Sequence, residues 1–147
     1  MHDDLAGIVS SLLNERLAED KLQQKLQKYP RPVNVEGLKT LRINPLIWGQ
    51  ISPTTQTCDA KSQKSQHVLI GAASAIVKTT DHALKSDGDK ELITMLTDAT
   101  ALILQCNHDQ IQSRRLAMKN DLHKDFAALC NVNKPSGVYL FGRDCQN

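Results

Sequence analysis

The aromatic residues of this chain, Tyr29, Trp48, Phe126, Tyr139 and Phe141, all stand near joints or ends, and none falls inside its three long stretches of helical pattern. Rings usually fill wide cores, because each buries a large area. Here the long stretches carry Leu, Ile, Val, Met and Ala instead. Thin aliphatic seams suit helices lying close alongside other helices, within one chain or between two. The chain is therefore expected to be an all-α, elongated helical bundle rather than a sphere. With 147 residues it fits one folding unit, and an apolar share of 40 % leaves the core to aliphatic side chains.

The first segment, Asp3 to Lys28, is helical in pattern. Leu5, Ile8, Val9, Leu12 and Leu13 form a stripe that Leu17, Leu22 and Leu26 continue with a phase shift. Asp3 or Asp4 can cap its start, and Tyr29-Pro30-Arg31-Pro32 ends it, because proline donates no amide hydrogen and restrains its predecessor. Residues 30–52 read as a connector and a hinge. Within them Asn44-Pro45 is a cap followed by a first-turn proline, so Asn44 to Ile51 forms a short plug helix around Pro45, Ile47 and Trp48. Ser52-Pro53 repeats that signal and opens a long helix to about Lys85. Its first half, Thr54 to Gln66, is polar, and must be exposed, covered by a partner or partly disordered.

After the turn Ser86-Asp87-Gly88-Asp89, a third long helix runs to about Asn120 with the cleanest stripe in the chain: Leu92, Met95, Leu96, Ala99, Leu102, Ile103 and Cys106. A shorter helix, Leu122 to Leu129, and an apolar tail around Val138 to Gly142 complete the bundle. The expected organisation is an N-terminal amphipathic helix (1–29), the connector (30–52), and a helical hairpin with a C-terminal bracing helix and tail (53–147). In that hairpin the Pro53–Lys85 and Asp89–Asn120 helices are antiparallel, braced at the ends by the plug and by the Leu122–Tyr139 tail. The final Cys145-Gln146-Asn147 reads as the edge of an excerpt.

Chemistry is sparse. Cys58, Cys106, Cys130 and Cys145 show no CxxC spacing, and Cys106 and His108, two apart on a helix, point about 200° from each other, so one metal ion cannot take both. No glycine-rich phosphate loop and no positioned nucleophile with its base is evident. The expectation is a non-enzymatic protein without cofactor or metal. There is no secretory signal and no apolar run long enough for a membrane span, so a soluble, thiol-reduced intracellular protein, nuclear or cytoplasmic, is expected. A formal charge of +2 does not by itself argue for nucleic acid. The best basic patch is Arg114, Arg115, Lys119 and Lys124, which would contact RNA or DNA phosphates or an acidic partner, or else form a solvated face paired with Asp121 or Asp125.

Several motifs resemble a known family. Arg31-Pro32, then Leu41-Arg42-Ile43-Asn44-Pro45-Leu46-Ile47-Trp48, then Asp59, Gln63 and Gln66, resemble the Gag-like proteins of DIRS-type (tyrosine-recombinase) retrotransposons. That family is related to the C-terminal domain of lamina-associated polypeptide 2 isoform alpha. Asn107-His108-Asp109, Arg114-Arg115, Lys119, Asp121-Leu122 and Asp125, with Leu140-Phe141-Gly142 and Asp144, look like its later motif blocks, so the likeness spans about residues 30 to 144. The resemblance implies an all-α, self-associating structural domain, dimeric through long antiparallel helices, and in a retrotransposon an assembly around element RNA.

The function expected is thus a structural, self-associating scaffold whose principal partner is a second copy of itself. Its interface is expected on Leu92, Met95, Leu96, Ala99, Leu102, Ile103 and Cys106, with Leu12, Leu13 and Leu17 as a second seam. The rival expectations are a nucleic-acid module acting through the basic patch and an adaptor that docks a protein on the polar half-helix.

Overall fold

The computed structural model describes residues 1–127, 130 and 139–141, the side chains of Asp125 and Phe126 excepted. It is mostly helical, and its described residues contain no strand. Helices α1 (Asp3–Asn14), α2 (Glu19–Lys28), α3 (Pro45–Trp48), α4 (Pro53–Lys85), α5 (Lys90–Met118) and α6 (Lys124–Ala127) follow one another, with a 3₁₀ turn at Lys119–Asp121.

Helices α3, α4 and α5 start where their caps stand. The Asn44 side chain accepts from the Leu46 amide at 2.9 Å, Ser52 Oγ accepts from the Thr55 amide at 3.3 Å, and Asp89 accepts from the Glu91 amide at 3.2 Å. Each satisfies an amide that the first helical turn leaves without a partner. Helix α4 ends at a tight turn in which Asp87 takes a left-handed φ of 54° and the Gly88 amide donates to the Ala83 carbonyl at 2.8 Å. Gly88 is required there: a Cβ would stand 2.7 Å from that same carbonyl oxygen.

That turn folds α5 back along α4. Partners run in opposite directions along the pair: Ser52 meets Asp121, Asp59 meets Arg114, Gln66 meets Asn107, and the Ile70 cluster receives Ile103. Among the helix pairs of the described residues this is the dominant packing.

The first segment is two helices, not the single one expected from Asp3 to Lys28. It breaks at Glu15–Ala18, where Glu15 and Ala18 are extended. The leucine stripe goes out of phase between Leu17 and Leu22, five positions apart, and one straight helix cannot present both stripes on one face. The N-cap of α1 is His2, without a side-chain cap bond, so Asp3 and Asp4 sit in the first turn rather than at the cap. Helix α2 leans on α4 where Leu26 meets Gly71.

The later half of the connector contributes to the core. Leu41, Ile43, Ile47 and Ile51 are buried together with Ile111, Met118, Leu122, Cys130, Leu140 and Phe141. Leu38 joins a second cluster with Ile70 and Ala73, against which Ile103 and Leu104 pack. Within the plug, Ile47 is the buried residue, whereas Pro45 is exposed and Trp48 lies at the surface. The tail docks as expected at 139–141: the Leu140 amide donates to the Arg42 carbonyl at 2.9 Å, and Tyr139 bridges Arg42 in parallel. The rest of that tail, including Val138, Gly142, Asp144 and Cys145, and Leu129 at the end of the expected bracing helix, lie outside the described residues.

Candidate functional site

The polar half of α4 has its partner inside the chain. Asp59 and Gln66 are buried on α4, and Arg114 is buried opposite them on α5 at 2 % exposure. Arg114 Nε donates to Asp59 Oδ1 at 2.7 Å and its Nη2 to Oδ2 at 3.1 Å, a bidentate pair. The remaining guanidinium arm reaches Gln66 Oε1 at 2.6 Å, and Gln66 Nε2 donates to Asn107 Oδ1 at 2.7 Å. Gln63 Nε2 closes the shell on Asp59 at 2.6 Å.

A further rung lies at the open end of the hairpin. Asp121 Oδ2 accepts from the Ser52 amide, the Ser52 hydroxyl and the Thr55 hydroxyl, the first two at 3.0 Å. Hydrogen bonds from Thr55, then from Ser52, hold the Asp121 carboxyl below its usual range. Ser52, Asp59 and Gln66 are a heptad apart on one strand of the ladder, as are Asp121, Arg114 and Asn107 on the other. This is the repeat of a coiled-coil seam, filled with polar pairs instead of Leu.

The expected basic patch is corrected by this geometry. Arg114 and Arg115 face the interior, Arg115 at 3 % exposure with its Nε donating to the Leu140 carbonyl at 2.8 Å. Burial lowers the Arg115 pKa from its usual value. Neither side chain presents its guanidinium to a phosphate, and the partner of Arg114 is Asp59 rather than Asp121 or Asp125. Lys119 is half-buried and Lys124 exposed, so the four residues do not make one cationic surface. Cys130 is buried beneath them, and burial pushes its thiol pKa up against the opposing pull of Lys119 and Arg115. A thiol held protonated is a poor nucleophile and metal ligand.

The expected association residues divide into two groups. Ile103 packs into the Ile70 cluster, and Leu96 and Ala99 are half-buried. Leu92, Met95 and Leu102 stand in solvent, the latter two at 63 % and 70 % exposure, and Cys106 is exposed. On α1, Leu12 and Leu13 are exposed along with Leu5, Ile8 and Val9, and the helix buries no residue at all. Leu17, in the break between α1 and α2, is half-buried.

A third feature was not anticipated from the sequence. Arg31, Lys39, Arg42, Lys64 and His67 line one cleft of about 630 Å³ between the connector and α4. They are spread over residues 31–67, and only Lys64 and His67 share a helix, so no linear cluster announces them. The available signal was the lack of acids among Arg31, Lys39 and Arg42 except Glu36.

Among the described residues no group of His, Cys, Asp and Glu could hold a metal ion, and no helix is long and apolar enough to cross a membrane. Residues 1–143 match the family described as Domain of unknown function (DUF8747), and the chain belongs to that family. No curated protein and no solved structure matches it.

Proposed function

We propose that the protein is a non-enzymatic, self-associating structural protein, of the Gag-like or domesticated scaffold kind that its motifs resemble, acting inside the cell. The observation that carries the proposal is α1, an amphipathic helix that spends Leu5, Ile8, Val9, Leu12 and Leu13 on solvent and buries nothing in its own chain. A second apolar seam, Leu92, Met95 and Leu102 on α5, is equally uncovered. Contiguous exposed apolar surface of this kind marks contact sites. Two copies that lay α1 of each against α5 of the other would cover both seams at once, and such a reciprocal contact closes as a dimer.

Of the residues behind the rival readings, Arg114 and Arg115 are internal, and Asp59 and Gln66 on the polar half of α4 are engaged by α5. The test is absolute mass by light scattering over about a hundred-fold concentration range, since an assembly responds to mass action. A dimer or larger species supports the proposal, and a monomer throughout rejects it.

A further inference from the structure

The cleft between the connector and α4 gathers Arg31, Lys39, Arg42, Lys64 and His67 around about 630 Å³, with no carboxylate on its described walls. In a chain of 18 Lys and Arg and 16 Asp and Glu, that segregation is local and concentrated. Arg42, Lys64 and His67 are exposed, and among the described residues none of the five cations has an ion pair within 4.0 Å. Arg31 has its Nη1 on the Val35 carbonyl at 3.3 Å, which leaves most of its donors unused. Thr40 is an independent sign on the same wall: its hydroxyl oxygen is buried and has no hydrogen-bond partner among the described residues. An unsatisfied buried hydroxyl is unusual and costs stability unless a ligand or water completes it.

We infer that this cleft binds phosphate groups. The two arginines offer planar forks matched to phosphate oxygens, and the lysines add point charge. Like charges this close repel one another, and an anion removes that repulsion. The scaffold is also firm where it counts. The Arg42 backbone is fixed by Leu140, while Leu41 and Ile43 on either side are buried, so the Arg42 side chain leaves from core-anchored chain.

The row of cations continues past the cleft. Lys64 and His67 also line a neighbouring cavity of about 490 Å³ between α2 and α4, where Arg16 and Lys61 join them and Glu19 is the one acid. Two cavities sharing a wall of cations accommodate a run of phosphates, so a nucleic-acid strand or an oligophosphate fits better than a single phosphate. Without aromatic side chains on these walls there is no stacking platform, and recognition is of the phosphates, blind to base identity. This inference is independent of self-association, since no residue of either apolar seam lines the cavities.

The test uses the full chain with a fluorescent single-stranded oligonucleotide and, in a separate arm, pyrophosphate, both at about 50 mM salt, where phosphate contacts are strongest. Binding of the oligonucleotide that pyrophosphate displaces identifies a strand-binding phosphate site. Binding of pyrophosphate alone supports the same site with a free oligophosphate as its ligand. The double variant Arg42→Glu/Lys64→Glu is expected to weaken either ligand by about tenfold or more and to flatten the salt dependence by about two phosphate contacts. Lys85→Glu/Lys90→Glu, at the turn end of the hairpin, is the charge-matched control. Should the reversal disturb folding by circular dichroism, Lys39→Gln/Arg42→Gln replaces it with the same expected direction. No binding of either probe, or binding that the cleft variants leave unchanged, overturns the inference.

Discussion

Asp59 and Arg114 lie 55 positions apart in the chain and meet as a bidentate ion pair, both side chains at 2 % exposure or less. The pair is the central rung of a ladder in which a coiled-coil seam is built from polar groups. Removing charges from water costs several kcal/mol per ion, and only close geometry with every remaining donor satisfied repays it. Gln66 accepts from the third guanidinium nitrogen and Gln63 donates to the carboxylate, so each nitrogen and oxygen of the pair has a partner.

Breaking one side is expected to be expensive and replacing both sides cheap. Asp59→Ala leaves a buried guanidinium without its counter-charge, and should cost about 3–5 kcal/mol in urea unfolding. The double change Asp59→Leu/Arg114→Met removes both charges and should recover most of that loss, because apolar residues of similar volume fill the seam equally well. The register should survive the double change, because the Ser52–Asp121 and Gln66–Asn107 rungs and the tight turn at Gly88 remain, so distances between spin labels on α4 and α5 should match those of the native protein. A double variant as unstable as Asp59→Ala would show that the network stabilises the hairpin outright.

Asp121 makes the hairpin's open end sensitive to acid. Its carboxyl is held below the usual range by Thr55 and Ser52, so the stabilisation is complete above the unfolded carboxyl's value of about 3.9 and fades as pH falls through the depressed folded value. Asp121→Asn should lower the melting temperature at pH 7 and have a shrinking effect as the pH falls through the depressed folded value, where the native carboxyl also becomes neutral. A melting-temperature difference that does not change with pH would exclude this role.

How far the sequence carried the fold depends on the kind of signal. Local chemistry was readable: Asn44-Pro45, Ser52-Pro53 and Asp89 each begin a helix where expected, because a cap acts within two or three residues of itself. The break at Glu15–Ala18 was present only as a phase shift between leucines, which a supercoil or a kink could equally have absorbed. Burial of charge was not readable. Arg114 and Arg115 look like a surface patch until Asp59 and the Leu140 carbonyl, both distant in sequence, are brought beside them. The same is true of the connector, whose Leu41, Ile43 and Ile47 have no helical period yet fill the core. The basic cleft is the converse case, assembled by folding from segments that individually look ordinary.

Gly71 governs how closely α2 lies on α4. A Cβ there would stand 2.4 Å from Leu26 Cδ2, so Gly71→Ala forces Leu26 aside. The same change favours α4 itself, since alanine exceeds glycine by about 1 kcal/mol in a helix interior. The two effects should separate. The hairpin's melting temperature is expected to hold or rise, while trypsin cleavage at Lys21, Lys25 and Lys28 accelerates as α2 detaches. Unchanged cleavage would show that Leu26 turns away freely and that α2 is held by other contacts.

The apolar seams yield the sharpest test of self-association. Leu96 is half-buried, so a charge at that position would strain the hairpin as well as any interface, and a lost dimer there would be ambiguous. Met95 and Leu102 on α5 and Leu13 on α1, the last at 80 % exposure, are free of that objection. Each substituted singly by Glu should leave the helical content and the unfolding midpoint of the dilute chain within about 0.5 kcal/mol of native, as surface changes do. In an assembled state the same Glu becomes a buried charge without a partner, and the dimer should weaken by at least about tenfold in sedimentation equilibrium. If α1 of one copy meets α5 of the next, Leu13→Glu should be partly rescued by Met95→Lys, because a cation then faces the introduced acid. Strictly additive losses would place the two seams in separate contacts, and open assembly rather than a closed dimer would follow from that arrangement.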